Sequence, residues 1–161
     1  RESDWSSDVC SSDLMKDIML KIVGTQNIDN DSDTIEFMTE GRIYQKGDAT
    51  YIVYEETEMS GLEGVKTTLR IDDASGDVKM KRFGKGIIMD TVMEFTKGRR
   101  FNSLYETPFG AVPMEVLTYK IVNDLEPDEG KGKLFIDYEI SLKGLAESRS
   151  MLDIEVTPTM N

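Results

Sequence analysis

The sequence predicts an all-β protein: an antiparallel up-and-down barrel of about eight to ten strands. Three observations carry the strand reading. Leu134, Ile136, Tyr138, Ile140 and Leu142 recur at every second position, with Phe135, Asp137, Glu139, Ser141 and Lys143 between them. A period of two sends successive side chains to opposite faces, so one face meets a core and the other meets water. The same alternation returns along most of the chain in short runs, punctuated by turns that carry Gly and Asp. No run holds a sustained apolar stripe of helical period; Pro113 to Tyr119 comes nearest and still reads better as strand.

In chain order, Ile18, Leu20 and Ile22 alternate with Met19, Lys21 and Val23, a first strand ending near Gly24. The Asx-rich run Asn27 to Asp33 reads as a loop. It lacks the mid-loop Gly and the closing Glu of a calcium-binding EF-hand. Ile35, Phe37, Thr39, Gly41 and Ile43 share one face of a second strand, and Lys46-Gly47-Asp48 turns the chain. The third strand, Tyr51 to Glu58, has β-formers on both faces, so alternation does not fix its inward side. Met59 to Gly64 is a connector with two glycines. Val65 to Ile71 forms a fourth strand with Thr67, Leu69 and Ile71 on one side, and Asp72 to Asp77 is a turn.

Val78, Met80 and Arg82 against Lys79, Lys81 and Phe83 make a short fifth strand. Gly84-Lys85-Gly86 turns into a sixth, Ile87 to Phe95, and matches neither GxxxxGK[ST] nor GxGxxG, so it is not read as a phosphate loop. A seventh strand spans Phe101 to Thr107 before the Pro108-Phe109-Gly110 break. An eighth, Ala111 to Asn123, again has β-formers on both faces. The alternating run at Leu134 is the ninth, and Leu152, Ile154 and Val156 mark the tenth, the two joined around Gly144. Sequential strands usually pair. An open sheet of this many strands leaves two edges exposed, which closure removes. A two-sheet sandwich is the alternative architecture.

The chain has 161 residues, enough for one domain with a real core. That domain is expected over residues 15–158. Residues 1–14 are Ser- and Asp-rich without a period and hold the only Trp and the only Cys, Trp5 and Cys10. They resemble a recurrent spurious translation of sequencing-adapter DNA. They are expected to be a non-native or disordered tail, with Met15 opening the domain.

Acidic residues outnumber Lys and Arg by 31 to 19, which disfavours nucleic acid and anionic membranes as partners. No apolar run is long enough for a membrane-spanning helix. No basic-then-apolar leader is present, so the expected compartment is the cytoplasm. His is absent, which removes the commonest metal ligand and the usual acid–base group near neutral pH. No catalytic set, cofactor motif or metal motif is recognisable; a carboxylate pair is the one chemistry left to an enzyme.

A barrel of this size encloses either packed side chains or one small ligand. Ten Met residues suit an adaptable interior, ligand-filled or solid. Leu20, Phe37, Leu69, Met89, Met93, Phe95, Tyr105, Met114, Tyr138 and Leu142 are its expected large groups. Arg42, Arg82, Tyr105 and Tyr138 are the candidate ligand-binding residues, as polar groups on or beside apolar faces. A buried Arg demands an anionic partner, either a protein carboxylate or a bound anion. Two functions follow: binding of a small amphipathic or anionic molecule inside the barrel, or a packed barrel serving as an interaction or structural module. The second expects an exposed patch around Phe109, Val112 and Met114, and a homodimer is compatible with it.

Several stretches carry a family resemblance: Met19 to Gln26, Glu40-Gly41-Arg42, Tyr54-Glu55-Glu56, Ser60 to Gly64, Thr67-Thr68-Leu69, Arg82-Phe83-Gly84, Thr107 to Gly110 and Leu142 to Ser148. From Met15 to about Pro158 the chain resembles the YwiB-like family of small bacterial proteins of unknown function. The resemblance implies a calycin-like antiparallel barrel and carries no ligand or activity with it. Residues 1–14 match no part of it.

Overall fold

The computed structural model describes residues 15–28, 31–56, 64–83, 91–107, 110–143 and 146–159. These form ten strands: β1 (Lys16–Ile28), β2 (Asp31–Lys46), β3 (Ala49–Glu55), β4 (Lys66–Asp72), β5 (Val78–Phe83), β6 (Thr91–Phe95), β7 (Arg100–Thr107), β8 (Gly110–Glu126), β9 (Lys131–Leu142) and β10 (Ala146–Pro158). They lie in one antiparallel sheet in the order β6-β5-β4-β3-β2-β1-β10-β9-β8-β7. Consecutive strands therefore pair, except β6 and β7, which form the two ends of the sheet, and β1 pairs with β10 to join the two halves. The ends of the sheet return to one another beside β6. The Gly98 amide donates to the Thr118 carbonyl at 2.8 Å. An isolated parallel bridge links Lys97 to Thr118. The result is a nearly closed meander barrel, as the strand count and short turns predict.

Register decides which side chains face inward. Ile18, Leu20 and Ile22 of β1 stand opposite Gly41, Thr39 and Phe37 of β2 and Pro158, Val156 and Ile154 of β10. The inward set continues through Ile43, Ile52, Leu69, Ile71, Val78, Met80, Met93, Phe95, Val116, Leu134 and Ile136, all buried in one cluster. Phe95 meets the ring of Tyr138 edge-on at 4.9 Å, so β6 and β9 touch across the interior.

Two strands with β-formers on both faces are explained by different means. On β3, Ile52 and Tyr54 face the core, while Tyr51 and Val53 face outward with Tyr44, Ala49 and Met15. Tyr51 and Tyr44 stack there with centroids 5.1 Å apart. On β8 the pairing shifts between Thr118, opposite Tyr138, and Lys120, opposite Asp137. Tyr119 is thus an extra residue, a β-bulge that moves the strand's inward set from even to odd numbers. Val116 and Thr118 point inward before it and Ile121 and Leu125 after it.

Three expectations change. Asn27 to Asp33 is mostly not loop, because β1 runs to Ile28 and β2 starts at Asp31, with Ile28 opposite Asp31. β10 starts at Ala146, well before Leu152, with Ser148 opposite Ile140 and Ser150 opposite Tyr138. Met114 is 2% exposed and belongs to the core, so it forms no part of a surface patch. Phe109, Met89, the first part of the expected sixth strand, the end of the expected third strand, and residues 1–14 with Trp5 and Cys10 lie outside the described residues.

One physical cause underlies the first two changes. At one end of the barrel the inward residues are solidly packed: Ile18, Leu20, Ile43, Ile52, Ile71, Phe95 and Leu134 are all 0% exposed. At the other end inward apolar groups are half-buried or open beside buried polar ones such as Thr67, Ser148 and Ser150. Leu142, Ile140, Leu152 and Tyr105 are only partly buried, and Ile35 is 39% exposed. Where the interior meets solvent, polar side chains replace apolar ones on the inward face, and the alternation that marks a strand fades. No helix among the described residues is long and apolar enough to cross a membrane.

Candidate ligand site at the open end of the barrel

The open end holds a polar cluster on the inward face. Tyr54 of β3 stands opposite Thr67 of β4, Thr67 opposite Arg82 of β5, and Arg82 opposite Thr91 of β6. Those four side chains form one row across four strands. Glu56 lies two residues beyond Tyr54, so it keeps the same inward parity. The ladder continues past β3 to hold it, the Glu56 amide donating to the Val65 carbonyl at 2.8 Å.

The Glu56 side chain is 1% exposed, and its Oε2 lies 3.5 Å from Nε of Arg82, whose side chain is 28% exposed. Thr67 Oγ1 donates to the same carboxylate oxygen at 2.6 Å. Burial, then the neighbouring Glu56 charge, pushes the Tyr54 phenol far above its ordinary range, and the Arg82 charge opposes that only in part. Tyr54 is therefore a neutral hydroxyl beside a buried ion pair. A buried Arg needs an anionic partner, and here the protein supplies it.

Across the interior, Tyr138 of β9 stands opposite Ser150 of β10 and Thr118 of β8. Burial raises its phenol as well, opposed by the Arg82 charge and by a hydrogen bond with Ser150. Gln26 Nε2 donates to Ser148 Oγ at 3.0 Å along the same wall. Among the described residues, the buried atoms Arg82 Nε and Thr118 Oγ1 have no hydrogen-bond partner. Both belong to inward-facing residues.

Of the four residues chosen from sequence, Arg82 and Tyr138 meet in this cluster. Tyr105 of β7 is also inward and packs against the core from the same end. Arg42 does not join them. It stands opposite Asp17 and Val53 on the outer face. Its side chain is 62% exposed, with Nε 3.6 Å from Asp17. Strand alternation explains this, since its neighbours Gly41 and Ile43 occupy the inward parity. Glu56, Thr67, Ser148, Ser150 and Gln26 were not chosen. The signal for Glu56 was the Glu55-Glu56 step, which must put one carboxylate on each face; only the register says that Glu56 is the inward one.

Arg42 instead helps line a separate groove of about 1010 Å³, shared by Asp17, Glu40, Val53, Glu55 and Lys66. Its charged lining is mostly outward-facing, and it contains neither Glu56 nor Arg82.

The chain can be placed among known proteins. It is 30% identical over 123 residues to the uncharacterized beta-barrel protein YwiB of Bacillus subtilis (strain 168), an alignment covering 76% of this chain and 80% of that protein. The crystal structure of the ywiB protein from Bacillus subtilis superposes with a TM-score of 0.74 at 24% identity, covering 91% of this chain and 94% of that one. The ten-stranded architecture is thus shared over nearly the whole described barrel. A family profile described as a domain of unknown function, DUF1934, matches residues 20–154, and the chain belongs to that family.

Proposed function

We propose that this chain is a small-molecule-binding protein, calycin-like in holding its ligand within the barrel at one open end. The observation that carries the reading is the asymmetry of the interior. One end is solidly packed, while the other exposes inward apolar groups beside a buried Glu56–Arg82 pair. A buried ion pair is not needed for stability, because apolar residues of similar volume often do as well or better. Its retention next to partly exposed Ile140, Leu142 and Leu152 favours recognition of an amphipathic molecule. The polar part would sit at Arg82 and the apolar part against the inner wall. Catalysis draws no comparable support, since among the described residues Glu56 is the one carboxylate placed in this cluster.

A second reading, docking of a protein partner or a second copy, draws on the outer groove with Arg42, Lys66, Asp17, Glu40 and Glu55. One experiment addresses both. Native mass spectrometry of protein purified gently from a bacterial lysate should give an extra mass that disappears on denaturation. The ligand-stripped protein should bind the neutral fluorophore 1-aminoanthracene, and Arg82→Ala should weaken whichever ligand is captured. A bare polypeptide that also fails to bind the fluorophore overturns the binding reading. A dimer in that same spectrum moves the function to the outer wall.

A further inference from the structure

Resting on that reading, we infer that the head group taken at the open end is uncharged and accepts hydrogen bonds, and that anions are disfavoured there. The argument is one of charge balance. Among the described residues Arg82 is the cation facing the cluster, and Glu56 already balances it at 3.5 Å. Tyr54 and Tyr138, the other titratable groups beside Arg82, are both held neutral by burial. Among the described residues of the cluster, the fixed charges therefore sum to zero. An arriving carboxylate or phosphate would become a third charge beside a carboxylate that is itself 1% exposed. In a low-dielectric interior that repulsion is strong, and the anion also gives up its hydration.

What the cluster still offers is donors. Thr118 Oγ1 is buried without a hydrogen-bond partner among the described residues, and Arg82 Nε, though ion-paired with Glu56, makes no hydrogen bond there. Glu56, by contrast, already accepts from Thr67. A carbonyl, amide or alcohol oxygen satisfies the donors and adds no charge. The apolar body of such a molecule finds Tyr105, Ile140, Leu142 and Leu152, the partly buried groups of the same end.

The test is displacement of 1-aminoanthracene from the ligand-stripped full chain by dodecanol and by dodecanoate at neutral pH. The alcohol is expected to bind about tenfold more tightly or better, with little dependence on salt. In Glu56→Gln the Arg82 charge loses its counter-ion, and the preference should shift toward dodecanoate by about tenfold. Should that variant fail to fold, the wild-type preference alone decides. Equal or tighter binding of dodecanoate by the wild type overturns the inference and leaves the binding reading standing. Failure of the wild type to bind fluorophore, alcohol and acid alike overturns the binding reading, and this inference with it.

Discussion

At Glu56 a carboxylate sits 1% exposed, with a cation at 3.5 Å, the Thr67 hydroxyl donating at 2.6 Å and the Tyr54 hydroxyl also hydrogen-bonded to it. Removing only the cation leaves a buried charge without compensation, which is far more damaging than removing both charges. Arg82→Met is expected to lower stability by about 2–4 kcal/mol, toward the lower value because Arg82 is partly solvated. The double variant Glu56→Gln/Arg82→Met should recover most of the loss, since Gln still accepts from Thr67. Urea denaturation of the two variants beside the wild type measures this directly. The buried phenols set a limit at the alkaline side. Folding raises Tyr54 and Tyr138 above the ordinary value of 10.0, so the folded state holds these protons more tightly than the unfolded state. Their contribution is complete below pH 10.0 and declines as pH rises toward the folded values. Alkaline unfolding followed by circular dichroism should therefore begin above that pH, and Tyr54→Phe should shallow its slope. An unchanged slope in Tyr54→Phe would mean that this phenol is ionised in the folded barrel.

For a single strand, β8 makes the sharpest prediction. Its bulge at Tyr119 is what lets Thr118 and Ile121 both face inward. Deleting Tyr119 restores plain alternation and keeps Ile121, Asn123 and Leu125 on their original side. The loss is then confined to exposed contacts, the Tyr119 hydroxyl donating to Glu139 at 2.7 Å and the Arg149 guanidinium 4.0 Å above the ring. Contacts of that kind, exposed to solvent and screened by it, contribute little. Deleting Val122, three residues on, reverses the faces beyond it, turning Leu125 outward and Asp124 inward. That leucine is partly buried, so exposing it should cost about 1 kcal/mol, to which turning the aspartate inward adds. Thermal melts should therefore rank the Val122 deletion as much the less stable. The reverse ranking would mean that the bulge, rather than the parity of the strand, holds β8 in place.

For the molecule as a whole, closure depends on the contact between its two ends. β10 lies between β1 and β9, with Ile18 opposite Pro158 and Asn27 opposite Arg149. A chain ending at Lys143 keeps nine of the ten strands yet opens the sheet in its middle and uncovers Ile18, Leu20 and Ile22. Such a truncation should show no cooperative unfolding transition in urea. A transition of normal steepness would show that the strands β1–β9 fold without β10. Pairing over such sequence distances also places folding in the slow range of milliseconds to seconds, which a stopped-flow chevron would reveal.

Alternation by itself determined the number and order of the strands, because each strand of the packed end must give its apolar face to the core. It also placed Arg82 and Tyr138 inward, since both continue apolar runs, Val78-Met80 and Leu134-Ile136. The tertiary structure decided the rest. Arg42 faces water because its parity is that of Asp17 and Val53, and Tyr119 switches the faces of β8. The polar ends of β1, β2 and β10 are strand because a ladder begun in the core carries on past it. Hydrophobic periodicity reports apolar burial, and at the open end the inward side chains turn polar before the hydrogen bonding stops. Glu56, Ser148 and Ser150 lie in that interval, where the backbone is sheet and the inward side chains are polar. Only the register across neighbouring strands could bring Glu56 to Arg82.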